Sequence, residues 1–150
     1  MQNWSSALWY WTTHLDGAPS ALDLPADYPR APLSARPAGS ATRALANATA
    51  GALRDLARAE GASVLDMMLA AYAAVLGRLS GQKDVVIGTP ILSSTLPIRV
   101  DLDSSLSFRA LVCRAREAMN DAREHALPFD SIVEAVRAAR DPRWTPIFQA

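Results

Sequence analysis

The chain holds one cysteine, Cys113, and two histidines among its 150 residues. A lone thiol excludes an internal disulfide and a cysteine-built metal site, and it suits a reducing compartment. An excess of either charge is also missing: 15 Lys and Arg offset 15 Asp and Glu, and the balance holds within each half. With no basic face and no charge block, neither nucleic acid nor a membrane surface is an expected partner. Long apolar runs are lacking as well. The longest, Met67 to Leu76, has ten residues, against the roughly 20 needed to span a bilayer. No positive charge precedes the short apolar run Ala7 to Trp11 and no small-residue cleavage site follows it, so a secretory signal is not expected either. A cytoplasmic protein is the expectation.

What is present is apolar and helix-forming. Half of the residues are hydrophobic and 29 are alanine, a composition that excludes whole-chain disorder. A chain of this length has room for one domain, burying roughly 68–70% of its unfolded surface.

Trp4, Leu8, Trp11 and Leu15 follow i, i+4, i+7, i+11, which predicts an N-terminal helix over 1–17 with one apolar stripe used for core packing rather than ligand stacking. Gly17 and Pro19 end it. Five of the ten prolines then fall between Pro19 and Pro37, so residues 18–40 read as an extended connector and 41–150 as a helix and strand core. Ala41 to Asn47 is expected as a strand. From Thr49 a helix places Leu53, Leu56 and Ala57 on one face, with Gly61 as its C-terminal cap. Ser63 and Asp66 form a capping box for a second helix, apolar almost all round from Val64 to Leu79. That helix is expected at the centre, so Met68→Asp is expected to unfold the chain.

Asp84 to Pro90 is a β-branched run predicting a buried strand, and Leu96, Ile98, Val100 and Leu102 alternate with polar residues in a second. Pro97 prefers an edge there or a gap in the ladder. Ser107 caps a helix with Phe108, Leu111, Val112, Ala115, Ala118, Met119 and Ala122 on one face. Pro128 opens another with Phe129, Ile132, Val133 and Val136 inward. Thr145 onward begins like a strand. Alternating helices and strands make the fold class α/β, in its mixed α+β form.

Catalytic motifs are mostly absent. No G-x-S-x-G, Walker loop, G-x-G-x-x-G or H-E-x-x-H occurs. His14 and His125 read as helix-end residues favourably placed by the dipole, Cys113 as a small boundary residue, and Asp101 and Asp103 as solvated strand-end acids.

Tyr10-Trp11, Leu15-Asp-Gly-Ala-Pro19, Leu22-Asp-Leu-Pro25 and Asp27-Tyr-Pro-Arg30 open a collinear series. It continues with Leu53-Arg-Asp-Leu-Ala57, Gly61-Ala62, Met68-Leu-Ala-Ala-Tyr-Ala-Ala-Val-Leu76, Ser80-Gly-Gln-Lys83 and Asp84-Val-Val-Ile-Gly-Thr-Pro90, then Thr95-Leu-Pro-Ile-Arg99, Leu127-Pro-Phe-Asp130, Arg140-Asp141 and Thr145-Pro-Ile-Phe-Gln149. In this order the series resembles the second half of a condensation domain from nonribosomal peptide synthetases, over nearly the whole chain.

The resemblance implies part of a chloramphenicol acetyltransferase-like sandwich. In the family, amide formation joins a carrier-bound thioester to an amine, with both substrates on phosphopantetheine arms. A histidine of an HHxxxDG motif lies where their two tunnels meet. This sequence has no His-His pair. Between Pro90 and Thr95 it also keeps only Ile91-Leu-Ser-Ser94 of a longer family loop, with Ser94 in place of an asparagine. The resemblance therefore names Ser94, Thr95 and Arg99 as substrate-channel candidates. It implies no bound cofactor, and carrier proteins, other synthetase domains or a second copy as partners. The expectation is a truncated unit inactive alone; a docking module and one half of a split enzyme are the alternatives.

Overall fold

The structure is a computed structural model, and it describes residues 3–19, 21–27, 40–91, 93–103, 105–138, 143 and 145–149. Helix α1 spans Trp4–His14, α2 Asn47–Ala59 and α3 Val64–Ser80; strands β1, Asp84–Ile91, and β2, Ser94–Asp101, precede α4, Phe108–Glu124, and α5, Phe129–Ala135.

Local chemistry accounts for most of these boundaries. Asn3 caps α1 by accepting from the Ser5 amide at 3.2 Å. The expected capping box on α3 is complete: Ser63 Oγ accepts from the Asp66 amide at 3.1 Å while Asp66 Oδ2 accepts from the Ser63 amide at 2.7 Å. Gly81 then ends α3 at φ 71, a left-handed turn that costs glycine little. Ser107 caps α4 as expected, accepting from the Ala110 amide at 3.2 Å. Pro128 is the N-cap of α5 rather than a residue of its first turn.

β1 and β2 pair antiparallel, with Asp84 opposite Asp101, Gly88 opposite Pro97 and Ile91 opposite Ser94. Among the described residues the sheet has two strands, so both are edge strands, as Pro97 requires. The pleat puts Val85, Ile87, Thr89 and Ile91 on one face with Leu96, Ile98 and Val100, and all seven are buried. This face looks toward α3 and α4, where Leu111, Val112, Ala115, Met119 and Ala122 of α4 complete the core with Met67, Leu69, Ala70, Ala73 and Leu76 of α3. The opposite face carries Val86, Gly88, Pro97 and Arg99. There Phe148 lies over Gly88 so closely that a Cβ at position 88 would enter the phenyl ring.

Three expected elements differ. Residues 41–46 form no strand, and Asn47 already belongs to α2; the segment is exposed throughout, since alanines and short polar residues give it no apolar side to bury. Residues 145–149 are irregular rather than extended. Ile147 adopts φ 74, a left-handed conformation no strand accommodates, and Phe148 is anchored instead by a tilted contact with Phe129, centroids 5.3 Å apart. The third difference is α3. It is buried on one side only, and Leu65, Met68, Tyr72, Val75 and Leu79 form an exposed stripe along the other.

The N-terminal stripe is realised in part: Trp11 is fully buried and Leu15 nearly so, whereas Trp4 is half exposed. Of the connector, Leu22 is buried, its amide donating to Gln149 Oε1 at 2.6 Å, and Gln82 brackets the same stretch through Ala21 and Asp23. Pro29, Pro32 and Pro37 of the expected connector, and the Arg140-Asp141 motif, lie outside the described residues. Among the described residues no single helix is long and apolar enough to cross a membrane.

Met67 is 1% exposed and Met68 49%, so the two neighbours separate the faces of α3 and overturn the expectation for Met68. Met67→Asp buries an unpaired carboxylate at a cost of several kcal/mol and is expected to abolish the cooperative melt followed by circular dichroism. Met68→Asp is expected to melt within about 1 kcal/mol of the parent. Equal destabilisation by both would mean that α3 is enclosed on all sides.

Candidate functional site

The three channel candidates lie on β2, and its pleat divides them. Thr95 and Arg99 share one face and Ser94 takes the other. Four residues separate Thr95 from Arg99 along the strand, about 13 Å at the usual rise. Ser94 and Thr95 are therefore at the turn end of the hairpin and Arg99 at its other end, so the structure does not bring the three together.

Ser94 is committed to the fold through its hydroxyl, which donates to the Leu127 carbonyl at 3.1 Å. That bond ties the β1–β2 turn to the segment joining α4 and α5. Thr95, opposite Pro90 and half-buried, keeps its side chain beside the same turn.

Arg99 has the densest polar surroundings. Its Nε donates to both carboxylate oxygens of Asp84, at 3.2 and 3.0 Å, and Nη2 donates to Oδ2 at 2.6 Å. Nη1 donates to the carbonyls of His14, at 2.7 Å, and Asp16, at 2.8 Å. A helix leaves its last carbonyls without intrahelical donors and its C-terminus partly negative. Arg99 answers both needs for α1 while Asp84, diagonal to it in the ladder, balances its charge. Both side chains are about three-quarters buried, and the fork geometry is one that lysine cannot reproduce.

Beside this network lies a cluster that spacing alone did not reveal as a unit. Tyr10 stacks on His14 at 5.0 Å between centroids and on His125 at 4.1 Å, the planes within 12° and 10° of parallel. Trp11 Nε1 donates to the His125 carbonyl at 2.8 Å, and His125 Nδ1 donates to the Asp121 carbonyl at 2.9 Å. Burial, and then the Asp121 carboxylate, push the Tyr10 phenol well above its ordinary value; its hydroxyl is buried and has no hydrogen-bond partner among the described residues. The His14 imidazole is pushed down, first by burial and then by Arg99, against the opposing pull of Asp121 and Asp84. The expected dipole-favoured helix-end charge thus gives way at His14 to a desolvated ring. The Tyr10 and His14 spacing of four residues was legible in the sequence. Their meeting with His125, 111 positions further on, was not.

The remaining candidates stay apart. Asp101 pairs with Arg114 at 2.7 Å. Asp103, beyond the end of β2, accepts from the Ser105 amide and hydroxyl, bonds that hold its carboxyl below the usual range. Cys113 is half-buried on α4. Among the described residues no three His, Cys, Asp or Glu side chains are grouped to hold a metal. A cleft of about 350 Å³ opens by Gly77, Arg78, Lys83, Leu102 and Asp103, at the hairpin end remote from Ser94 and Thr95.

Replacing Arg99 by methionine removes charge-assisted bonds worth about 1–3 kcal/mol together with the cap on α1. Urea melts are expected to show a loss of that size, with Arg99→Lys recovering little of it; full recovery by lysine would mean that charge alone matters.

A family model described as Condensation domain matches residues 1–150. Malpinin synthetase of Mortierella alpina is 37% identical over 93% of this chain, and phosphinothricin tripeptide synthetase PhsC of Streptomyces viridochromogenes is 34% identical over 95%. The chain spans 2% and 14% of those proteins. Among solved structures, the X-domain from teicoplanin biosynthesis superposes with a TM-score of 0.89 at 26% identity, over 97% of this chain and 36% of that one. The first condensation domain of the CDA synthetase superposes with a TM-score of 0.60 at 24% identity, over 82% and 30%; at that identity the likeness is one of fold.

Proposed function

The chain belongs to the condensation-domain family, and from that premise we propose that it is one part of a cytoplasmic peptide synthetase condensation unit that forms no amide by itself. The family reaction is acyl or peptidyl transfer from a carrier-bound thioester to an amine, with the substrates on phosphopantetheine arms. Carrier proteins and other synthetase domains are the partners this reading assigns. Relatives among the synthetases and coverage of about a third of the X-domain chain support it.

The observation that carries the proposal is the use made of the two histidines. Both imidazoles lie stacked against Tyr10, with His125 Nδ1 further occupied by a backbone carbonyl, and the sequence has no adjacent histidine pair. The contacts of both rings are thus spent on packing α1 against the end of α4 rather than on a histidine pair. Within the proposed unit, Thr95 lines the channel at the turn end of the hairpin, and Ser94 shapes that end by fastening the turn to Leu127. Arg99 supports that wall from the far end of β2 through its hold on α1.

A docking role is favoured by a separate observation. Leu65, Met68, Tyr72, Val75 and Leu79 expose 46–56% of their surfaces along one side of α3, and contiguous exposed apolar patches are often functional. A partner or a second copy is the cover this reading assigns.

Incubated with two loaded carrier proteins, the chain alone is expected to give no amide product by mass spectrometry. Turnover abolished by His125→Ala would overturn the proposal. Sedimentation over a wide concentration range is expected to show self-association that changes little with salt, since the net charge is zero. A monomer at every concentration would remove the second copy as occupant.

A further inference from the structure

The aromatic cluster that joins α1 to the rest of the fold contains two imidazoles stacked on one phenol, and its geometry tolerates a positive charge poorly. α1 is held by Trp11, through burial and its bond to the His125 carbonyl, by the Tyr10 stack on His125, and by Arg99 on the carbonyls of His14 and Asp16. These polar and ring attachments lie within four residues of His14, while Ala7 adds a buried apolar contact one to two turns further along α1. We propose that the Tyr10 sandwich is a pH-sensitive clasp, in which protonation of His14 releases α1 from β2 and α4 while the sheet and its covering helices stay closed.

The charges facing His14 from each neighbouring element determine the direction. From β2 comes Arg99, bonded to the carbonyl of His14 itself, so a protonated ring meets a second cation. Asp84 on β1 attracts a proton toward the site, yet its carboxylate is already engaged by three Arg99 contacts. Asp121 on α4 attracts as well, and its backbone carbonyl is taken by His125. The His125 ring stacks on Tyr10 as well, so Tyr10 is engaged by both imidazoles. Tyr10 supplies no compensating anion, because its buried hydroxyl resists ionisation. α5 also packs on α1, and its acids Asp130 and Glu134 occupy exposed positions. Attraction of a charged imidazole to the Tyr10 face offsets only part of the cost. The half-buried His14 ring is thus pressed by Arg99 and by the apolar surfaces that desolvate it.

The sign follows from linkage. Burial and Arg99 hold the seated ring below its ordinary value of 6.5, so the released ring binds a proton more readily than the seated one. Docking of α1 is therefore at full strength above 6.5 and weakens as the pH falls through that value toward the seated ring's own.

Hydrogen exchange of the full chain, corrected for intrinsic rates, tests this between about pH 7.5 and about pH 5.5. Amides from Leu8 to His14 are expected to lose protection at the acid end, while those of Leu96 to Val100 and Val112 to Met119 keep theirs. His14→Phe retains a stacking ring without a proton site and is expected to remove the pH response; should it not fold, His14→Gln removes the same proton site. The clasp is overturned if α1 protection does not change with pH, if either variant keeps the parental response, or if all three segments lose protection together.

Discussion

Arg99 is the constraint on which the arrangement of the site depends. One guanidinium joins three parts of the chain that share no sequence proximity: β2 on which it stands, Asp84 at the start of β1, and the C-terminal carbonyls of α1. A single charged group of five donors can do this because its plane presents separate edges. One edge faces the carboxylate and the other the two carbonyls, so the helix end is neutralised without leaving an unpaired buried charge. With α1 held there, Tyr10 and Trp11 meet His125 just beyond α4, and both histidines stack on Tyr10.

The same anchoring divides the roles within one stretch of β2. Thr95-Leu-Pro-Ile-Arg99 reads as one block, but a strand sends alternate side chains to opposite faces. Within the block, Leu96 and Ile98 fill the core under α3 and α4, Thr95 stays by the turn, and Arg99 is spent on α1. Ser94 faces the other way and fastens the turn to Leu127. Membership of the condensation family thus describes what surrounds this strand in related proteins, while the polar bonds describe which of its residues are already occupied.

α3 shows how far composition alone misleads about burial. Its sequence is apolar nearly all round, yet only Asp66, Met67, Leu69, Ala70, Ala73 and Leu76 are enclosed. Asp66 is buried because the capping box requires it, with Oδ2 taking the Ser63 amide and hydroxyl, so the one acid on the helix sits inside while Met68 and Tyr72 sit outside.

Local signals in the sequence determined the elements: the capping residues Ser63, Asp66 and Ser107, the glycine at 81, the period-two runs of β1 and β2, and the apolar face of α4 each act within a few residues of themselves. They also carried the family, because that series of motifs is collinear. What the tertiary structure decided is every relation across distance. Which side of α3 is covered, that residues 41–46 and 145–149 find no strand partner among the described residues, that Arg99 turns toward α1, and that His14 and His125 share Tyr10 all depend on packing and on balancing charge between segments far apart in the chain. A residue's own neighbours in sequence fix its preferred backbone, but its solvent exposure and its charge partners are set by whichever surfaces meet it in space.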